Sequence, residues 1–267
     1  FYDGDWTDAL VDSGRAAFQA LEVYQGNLYA GTDTDARIWV YNGANWSVSA
    51  TLGGGDTTVR GLKSFNGKLY AVTAGAGRVH EFNGSVWTPV FDPSEVTLTD
   101  VEEYQGRLYV GSVGNGRIYG YDPGAGNWYT AFDSPANDIN ALEVHNGRLY
   151  AGGQPNVFVF DASSWTVNFA LNAAFLDLQS YGDRLYAASN NGGSIYVHAG
   201  SAAWSVSFDP SETEARSLGL HDGRLYAGIG VPSNGRALSF DGRDWIIAQT
   251  LPGGSDRVNA FRHFGGV

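Results

Sequence analysis

The tetrad Arg148-Leu149-Tyr150-Ala151 decides the fold, because versions of it recur along the chain. The six copies are Asn27-Leu28-Tyr29-Ala30, Lys68-Leu69-Tyr70-Ala71, Arg107-Leu108-Tyr109-Val110, Arg148-Leu149-Tyr150-Ala151, Arg184-Leu185-Tyr186-Ala187 and Arg224-Leu225-Tyr226-Ala227. Successive tetrad leucines are 41, 39, 41, 36 and 40 residues apart. A nearly constant period of this length indicates repeated supersecondary units, each of which buries its apolar face against the next.

A series of tryptophans runs in register with the tetrads. Its members are Trp6, Trp46, Trp87, Trp128, Trp165, Trp204 and Trp245, at spacings of 40, 41, 41, 37, 39 and 41 residues. This series has seven members, whereas there are six tetrads. This difference predicts that the two ends of the chain supply separate parts of one unit.

Each repeat has the pattern of four short strands. An apolar first strand such as 20–24 leads into a Gln-Gly, Asn-Gly, Asp-Gly or Gly-Asp pair, residues that accept the positive φ of tight hairpin turns. The Leu-Tyr strand follows, then a third strand such as 117–121, and then a Trp strand such as 204–208. Apolar residues alternate with period two, and no helical period persists over ten residues. The pattern therefore predicts an all-β chain with almost no helix.

Four antiparallel strands per repeat are typical of a β-propeller blade. Residues 258–267 match a first strand and its turn, and residues 1–10 match the end of a third strand and a Trp strand. We therefore predict one domain, 1–267, folded as a seven-bladed β-propeller whose last, incomplete blade comes from 258–267 plus 1–10. A trimmed chain, a thin natural blade and a hairpin supplied by a neighbouring chain would each explain the incomplete blade.

The repeat resembles kelch-like and other microbial β-propellers, whose blades carry a Gly-Arg-Leu-Tyr-Ala-Gly strand followed by a Trp. The segment 147–152 has this strand in full. The kelch double glycine is present in one repeat, as Gly152-Gly153, and the kelch period is longer. The resemblance covers the whole chain and implies the propeller class rather than a specific family.

Composition excludes several classes of function. The chain has 267 residues and a net charge of −12, which argues against nucleic acids and anionic membrane surfaces as partners. No apolar run is long enough for a membrane-spanning helix, so we predict no membrane insertion. The absence of cysteine removes disulfides, iron–sulfur clusters and thiol nucleophiles. A cysteine-free chain is also compatible with export, which favours an extracellular or cell-surface location.

No catalytic group stands out from the repeat. Four of the five histidines, namely His80, His145, His198 and His221, occupy positions that are aromatic in other repeats, so we interpret them as structural. We find no triad spacing, phosphate loop or metal-ligand cluster, and we predict no catalytic residues, metal or cofactor. The alternating Asp33-Thr34-Asp35 could offer oxygens to Ca²⁺. The distal Glu of a calcium loop is absent, however, which favours a solvated hairpin tip over a calcium site.

Positions that vary within the repeat are the candidate ligand-binding residues. In a propeller the first strand lines the central channel, and the residue two before its Leu differs from blade to blade. These channel-mouth candidates are Gln19, Arg60, Thr99, Asn140, Arg216 and Asn259, with Leu176 in the remaining blade. Loops on a rigid scaffold also tend to bind, and the loop candidates are Asp33, Asp35, Gln154, Asn156, Asn190 and Asn191. The alternative for the first set is the wall of a water-filled channel.

Three functions remain open from the sequence. The first is a non-enzymatic binding module that recognises a glycan or a protein surface; amides and aromatic rings suit sugars, and the repeated Trp admits a lectin-like interpretation. The second is a structural, self-assembling extracellular component that uses the incomplete blade for strand exchange. The third is a polysaccharide-active enzyme, since propellers support many functions.

Overall fold

The computed structural model describes residues 17–200, 203–210, 212–230, 235–251 and 257–264. All regular elements of this part of the chain are β-strands, 24 in number, which confirms the all-β prediction. No helix in these ranges could span a membrane. The strands are β1 (Phe18–Tyr24), β2 (Asn27–Thr32), β3 (Arg37–Tyr41), β4 (Trp46–Thr51), β5 (Thr58–Phe65), β6 (Lys68–Ala74), β7 (Val79–Phe82), β8 (Trp87–Phe91), β9 (Thr97–Tyr104), β10 (Arg107–Val113), β11 (Arg117–Asp122), β12 (Asn127–Asp133), β13 (Asp138–His145), β14 (Arg148–Gln154), β15 (Asn156–Phe160), β16 (Trp165–Ala170), β17 (Phe175–Tyr181), β18 (Arg184–Ser189), β19 (Ile195–His198), β20 (Ser205–Phe208), β21 (Glu214–His221), β22 (Arg224–Gly230), β23 (Arg236–Phe240) and β24 (Trp245–Thr250).

The strands form six antiparallel units of four, which we number 1 to 6 from β1–β4 to β21–β24. Within each unit the strands pair in chain order, as the hairpin turns predict. Single residue pairs, Ala74 with Thr97 and Val113 with Asp138, connect units 2, 3 and 4 into one sheet. The first strands of successive units contact one another. This architecture is consistent with a β-propeller.

The hydrophobic core lies between the units rather than within them. Between units 1 and 2, for example, the fully buried Ile38 packs in one cluster with Val59 and Leu69. The glycine that follows the tetrad makes this packing possible, because a Cβ on Gly31 would collide with the side chain of Val59. Units 3, 4 and 6 also have glycine at this position, whereas units 2 and 5 have Val72 and Ala188.

The repeated tryptophans also join neighbouring units. Trp128 of unit 3 stacks on Phe91 of unit 2, with ring centroids 4.6 Å apart and planes 6° from parallel. The indole Nε1–H of Trp204 donates a hydrogen bond to Asn168 Oδ1 of the preceding unit, at 2.6 Å. These contacts place the tryptophans in interfaces, where such rings contribute large buried areas.

Residues 257–264 lie between unit 6 and unit 1, and the structure assigns them no strand. The Ser217 hydroxyl of unit 6 donates to the Val258 carbonyl at 2.6 Å, and Asn259 Nδ2 donates to the Phe18 carbonyl of unit 1 at 3.3 Å. The second contact repeats one between units 3 and 4, in which Thr99 Oγ1 donates to the Ile139 carbonyl at 2.6 Å. The segment therefore contacts unit 1 as one unit contacts the next. The predicted contribution of residues 1–10, which include Trp6, lies outside the described residues.

Candidate binding site in the central channel

A β-bulge marks the candidate position in the first strand of each unit. The strand register breaks between Phe18 and Ala20, Val59 and Gly61, Val101 and Leu98, Ile139 and Ala141, Phe175 and Asp177, and Ala215 and Ser217. In units 1, 2, 4, 5 and 6 the extra residue is a predicted channel residue, Leu176 in unit 5 included, and in unit 3 the break spans Thr99 and Asp100 opposite Gly111. A bulge bends its strand and redirects a side chain. The positions at which the residue type varies between repeats are thus also the positions at which the first strands are bulged.

The six channel-mouth candidates line one cavity of about 290 Å³ that is surrounded by the first strands of the units. They are Gln19, Arg60, Thr99, Asn140, Arg216 and Asn259. Four of them, together with the loop candidate Asp33, also line a wider opening of about 780 Å³ beside units 1, 2 and 6. We call this opening the mouth. Cavities that bind small molecules commonly have volumes in this range.

The mouth combines amide, hydroxyl and charged groups. Gln19 Nε2 donates to Asp33 Oδ2 at 3.3 Å, and Asp33 Oδ1 accepts from the Ala17 backbone N–H at 2.7 Å. Arg216 and Arg257 each lie 3.0 Å from Glu214 Oε1. The third guanidinium is that of Arg60, and Thr34, Thr57 and Thr58 add hydroxyls to the lining.

The charges of the mouth act on one another. Burial lowers the pKa of Arg60, and the positive charge of Arg216 lowers it further, whereas the carboxylate of Asp33 counteracts both effects. The two guanidinium groups therefore lie close enough to repel each other. Three arginines and Asp33 line this opening, and Glu214 offsets part of the positive charge of Arg216 and Arg257.

Further into the channel is a group of acidic side chains that sequence reasoning missed. Lys63 Nζ lies 2.5 and 2.7 Å from the two carboxylate oxygens of Glu102. The other acids bridge to the backbone of the next unit. Asp100 Oδ2 accepts from the Leu142 N–H at 2.8 Å, Asp177 Oδ2 from the Leu218 N–H at 2.6 Å, and Glu143 Oε1 from the Ser180 N–H at 2.8 Å.

Burial dominates the electrostatics of these acids. It raises the pKa of Asp177 to about 7 and that of Glu143 to about 8, against the opposing effect of the backbone N–H groups. Burial also raises the pKa of Asp100 and Glu102, although Lys63 lowers both. Because desolvation disfavours the charged form, the deep channel holds protons near neutral pH that exposed carboxylates would release.

A sequence signal for this inner group exists. Glu22, Lys63, Glu102 and Glu143 each directly follow the Leu or Val of the first strand, and Arg262 has the same position in 257–264. Charged residues at one repeating position of a buried strand indicate a shared polar surface. Their pairing, such as the 2.8 Å contact between Arg262 and Glu22, depends on how 257–264 packs against unit 1 and could not be read from spacing.

Five of the six loop candidates lie apart from the channel. Asp35 accepts from Thr32 Oγ1 at 2.6 Å and pairs with Arg37 at 3.0 Å, so this carboxylate already has partners from its own hairpin. The remaining candidates, none of which lines the channel or the mouth, are Gln154, Asn156, Asn190 and Asn191. Their role in binding and the calcium alternative at Asp33 and Asp35 stay predictions.

Three of the histidines take structural positions. His80 is buried and its Nε2 lies 2.8 Å from Asp56 Oδ2. His198 stacks on Trp204, with ring centroids 5.2 Å apart. His145 Nδ1 lies 2.8 Å from Ser180 Oγ of the next unit. These contacts agree with the interpretation of these side chains as substitutes for framework aromatics.

Comparison with known proteins supports the fold and leaves the family open. No family model and no curated protein matches the chain. Among solved structures, a chain of the mitotic checkpoint complex superposes with a TM-score of 0.73 at 16% identity, over 97% of this chain and 91% of that one. The extracellular domain of BT4673 from B. thetaiotaomicron superposes with a TM-score of 0.75 at 14% identity, over 95% of this chain. This chain spans 36% of that protein's length. A chain of the nidogen/laminin complex gives a TM-score of 0.64 at 10% identity, over 84% of this chain and 94% of that one.

Proposed function

We propose that this protein is a non-enzymatic binding module of the β-propeller class, and that it recognises a glycan or a protein surface through the mouth of its channel. The observation that carries the proposal is the convergence of Gln19, Asp33, Arg60, Arg216 and Asn259 on one opening of about 780 Å³. Amide and guanidinium groups donate hydrogen bonds to sugar hydroxyls and to carbonyl or carboxylate oxygens alike. The neighbours from a checkpoint complex, an extracellular domain and a nidogen/laminin complex support an interaction role and an extracellular location, within the limits of a likeness in fold.

The deep carboxylates support a binding role over a catalytic one. Asp100, Glu143 and Asp177 each accept a hydrogen bond from the backbone of the following unit, so each has a use in holding the units together. Pairing of a buried carboxylate with an N–H is the ordinary way to offset its desolvation. The binding proposal therefore expects no polysaccharide cleavage by the purified protein.

We also propose that 257–264 is the inner edge of a seventh blade, as the repeat predicts. A propeller completed in this way would fit the kelch-like resemblance. A Cβ on Gly228 of unit 6 would meet Val258, just as one on Gly111 of unit 3 would meet Ile139 of unit 4. The segment thus occupies the position of a next unit. A self-assembling role through this blade is the alternative, and a monomeric solution mass for the protein would exclude it.

The test of the binding proposal is a glycan array together with a pull-down from extracellular protein extracts. The wild type is compared with the double variant Arg60→Ala and Gln19→Ala, which removes two donors from the mouth. Arg107→Ala is the matched control, because this exposed arginine pairs with Asp122 on the outside of unit 3. We expect the double variant to lose at least tenfold in affinity for any ligand found, and the control to keep it. Equal binding by all three proteins would refute the role of the mouth. A complete absence of signal in both assays would refute the proposal that the protein is a binding module.

A further inference from the structure

The turn of unit 6 and the segment 257–264 bring together two imidazoles and a carboxylate. His221 ends β21, Asp222 is the first residue of the turn that follows, and His263 lies in the segment opposite. The ring nitrogens His221 Nδ1 and His263 Nδ1 are 3.0 Å apart. Asp222 places one oxygen 3.4 Å from His221 Nε2 and the other 4.0 Å from His263 Nδ1. In the described part of the chain, this is the one group of three such side chains whose ligand atoms all lie within 4.8 Å of one another.

The corresponding contacts in other units show what is special here. Tyr24, Tyr104 and Tyr181 occupy the position of His221, and each hydroxyl donates to a turn glycine carbonyl of the next unit, at 2.7, 2.9 and 3.0 Å. Unit 4 has His145 at this position, and its partner in the next unit is the hydroxyl of Ser180. Unit 6 instead faces a second histidine. The hydrogen bond that a hydroxyl makes elsewhere is here a contact between two imidazole nitrogens, and imidazole nitrogen is a common metal ligand.

We propose that His221, His263 and Asp222 bind a divalent transition-metal ion of the zinc type. Two imidazole nitrogens and one carboxylate oxygen form a ligand set that zinc takes, with a fourth position left to water. Adjacent nitrogens around a tetrahedral zinc lie about 3.3 Å apart, given Zn–N bonds near 2.0–2.1 Å, which is close to the spacing of this pair. The imidazole ligands disfavour Ca²⁺ and Mg²⁺, which prefer oxygen.

The site is accessible to an ion from solvent. The exposed fractions of the side chains of His221, His263 and Asp222 are 24%, 52% and 71%. Asp222 has a φ of +46°, as the first residue of its tight turn, so the backbone at this ligand is held by the hairpin. An ion bound here joins unit 6 to the segment that contacts unit 1. Zinc is therefore expected to stabilise the closure of the ring, since a ligand of the folded state alone raises its stability.

The test is a titration of the tag-free full chain with ZnCl₂ after removal of metals with a chelator. Isothermal titration calorimetry measures affinity and stoichiometry, and thermal unfolding with and without zinc measures the stabilisation. We expect one zinc ion per chain and a higher Tm with zinc. His221→Tyr restores the residue that units 1, 3 and 5 carry at this position, and His263→Ser copies Ser180, so both variants keep side chains that the repeat already tolerates.

Both variants should lose at least tenfold in zinc affinity and the zinc-dependent rise in Tm. His145→Tyr, made at the same position in unit 4, should bind zinc like the wild type. Absence of zinc binding by the wild type, unchanged binding by both site variants, or an equal loss in His145→Tyr would each overturn the proposal. CaCl₂ in place of ZnCl₂ should leave Tm unchanged, and an equal rise with calcium would show that carboxylates rather than imidazoles hold the ion.

Discussion

Glu143 gives the protein a pH-dependent element of stability in its deep channel. Burial raises the pKa of its carboxyl from an ordinary 4.5 to about 8, and the neighbouring Glu102 and Asp177 raise it further, whereas the Ser180 N–H opposes the change. Glutamine has nearly the same shape and keeps a carbonyl oxygen to accept the Ser180 N–H, but it cannot ionise. Glu143→Gln should therefore remove the titration and leave the hydrogen bond.

The direction in which the free energy of unfolding changes with pH follows from proton binding. Near pH 4 the carboxyl is largely protonated in both the folded and the unfolded chain, so this group adds no pH dependence there. As the pH rises through 4.5, the unfolded chain releases the proton while the folded chain retains it up to about pH 8. The free energy of unfolding of the wild type therefore falls across this window. With 1.36 kcal/mol for each pKa unit, the loss between about pH 5 and pH 7 is about 2 kcal/mol.

Urea unfolding monitored by tryptophan fluorescence measures the effect. We compare the free energies of unfolding of the wild type and Glu143→Gln at intervals from about pH 4 to pH 8. The two should be alike near pH 4, and the advantage of the variant should grow by about 2 kcal/mol from pH 5 to pH 7. A difference between the two proteins that stays constant over this range would refute the burial of a protonated Glu143.

Three further changes test the packing between units. Ile139→Ala should lower the free energy of unfolding by about 3 kcal/mol in urea, because the side chain is fully buried between units 3 and 4; a loss below about 1 kcal/mol would contradict this packing. Gly228→Val should lower Tm in a thermal scan and expose the end of the chain to proteolysis, since the added side chain would occupy the space of Val258. An unchanged Tm and cleavage rate would show that the two do not pack together. Trp204→Phe removes the hydrogen bond to Asn168 and should cost about 1 kcal/mol more in the wild type than in a background that already carries Asn168→Ala, measured in urea; an equal cost in both backgrounds would disprove that bond.

The sequence alone determined the strands and the repeat. Hairpin turns and period-two alternation are local features, so the four-stranded pattern around each Leu-Tyr tetrad was readable without any contact. It also singled out residues such as Arg60 and Asn140, because they vary where the framework around them does not; that they lie in bulges is shown only by the structure. Because first strands were expected to line a channel, the sequence also predicted that these residues would share one cavity. The count of seven blades and the role of residues 1–10 stay predictions.

The tertiary structure alone decided which charges meet. Asp177 and Leu218 are 41 residues apart, and His221 and His263 are 42 apart, so one repeat separates the members of each contact. Spacing of this kind shows that two residues have similar positions in neighbouring units, but not whether their side chains turn towards each other. The packing of each unit against the next sets that direction. The proton-holding acids of the channel and the paired histidines therefore appear only when the units pack, because desolvation and ligand geometry are properties of the assembled interfaces.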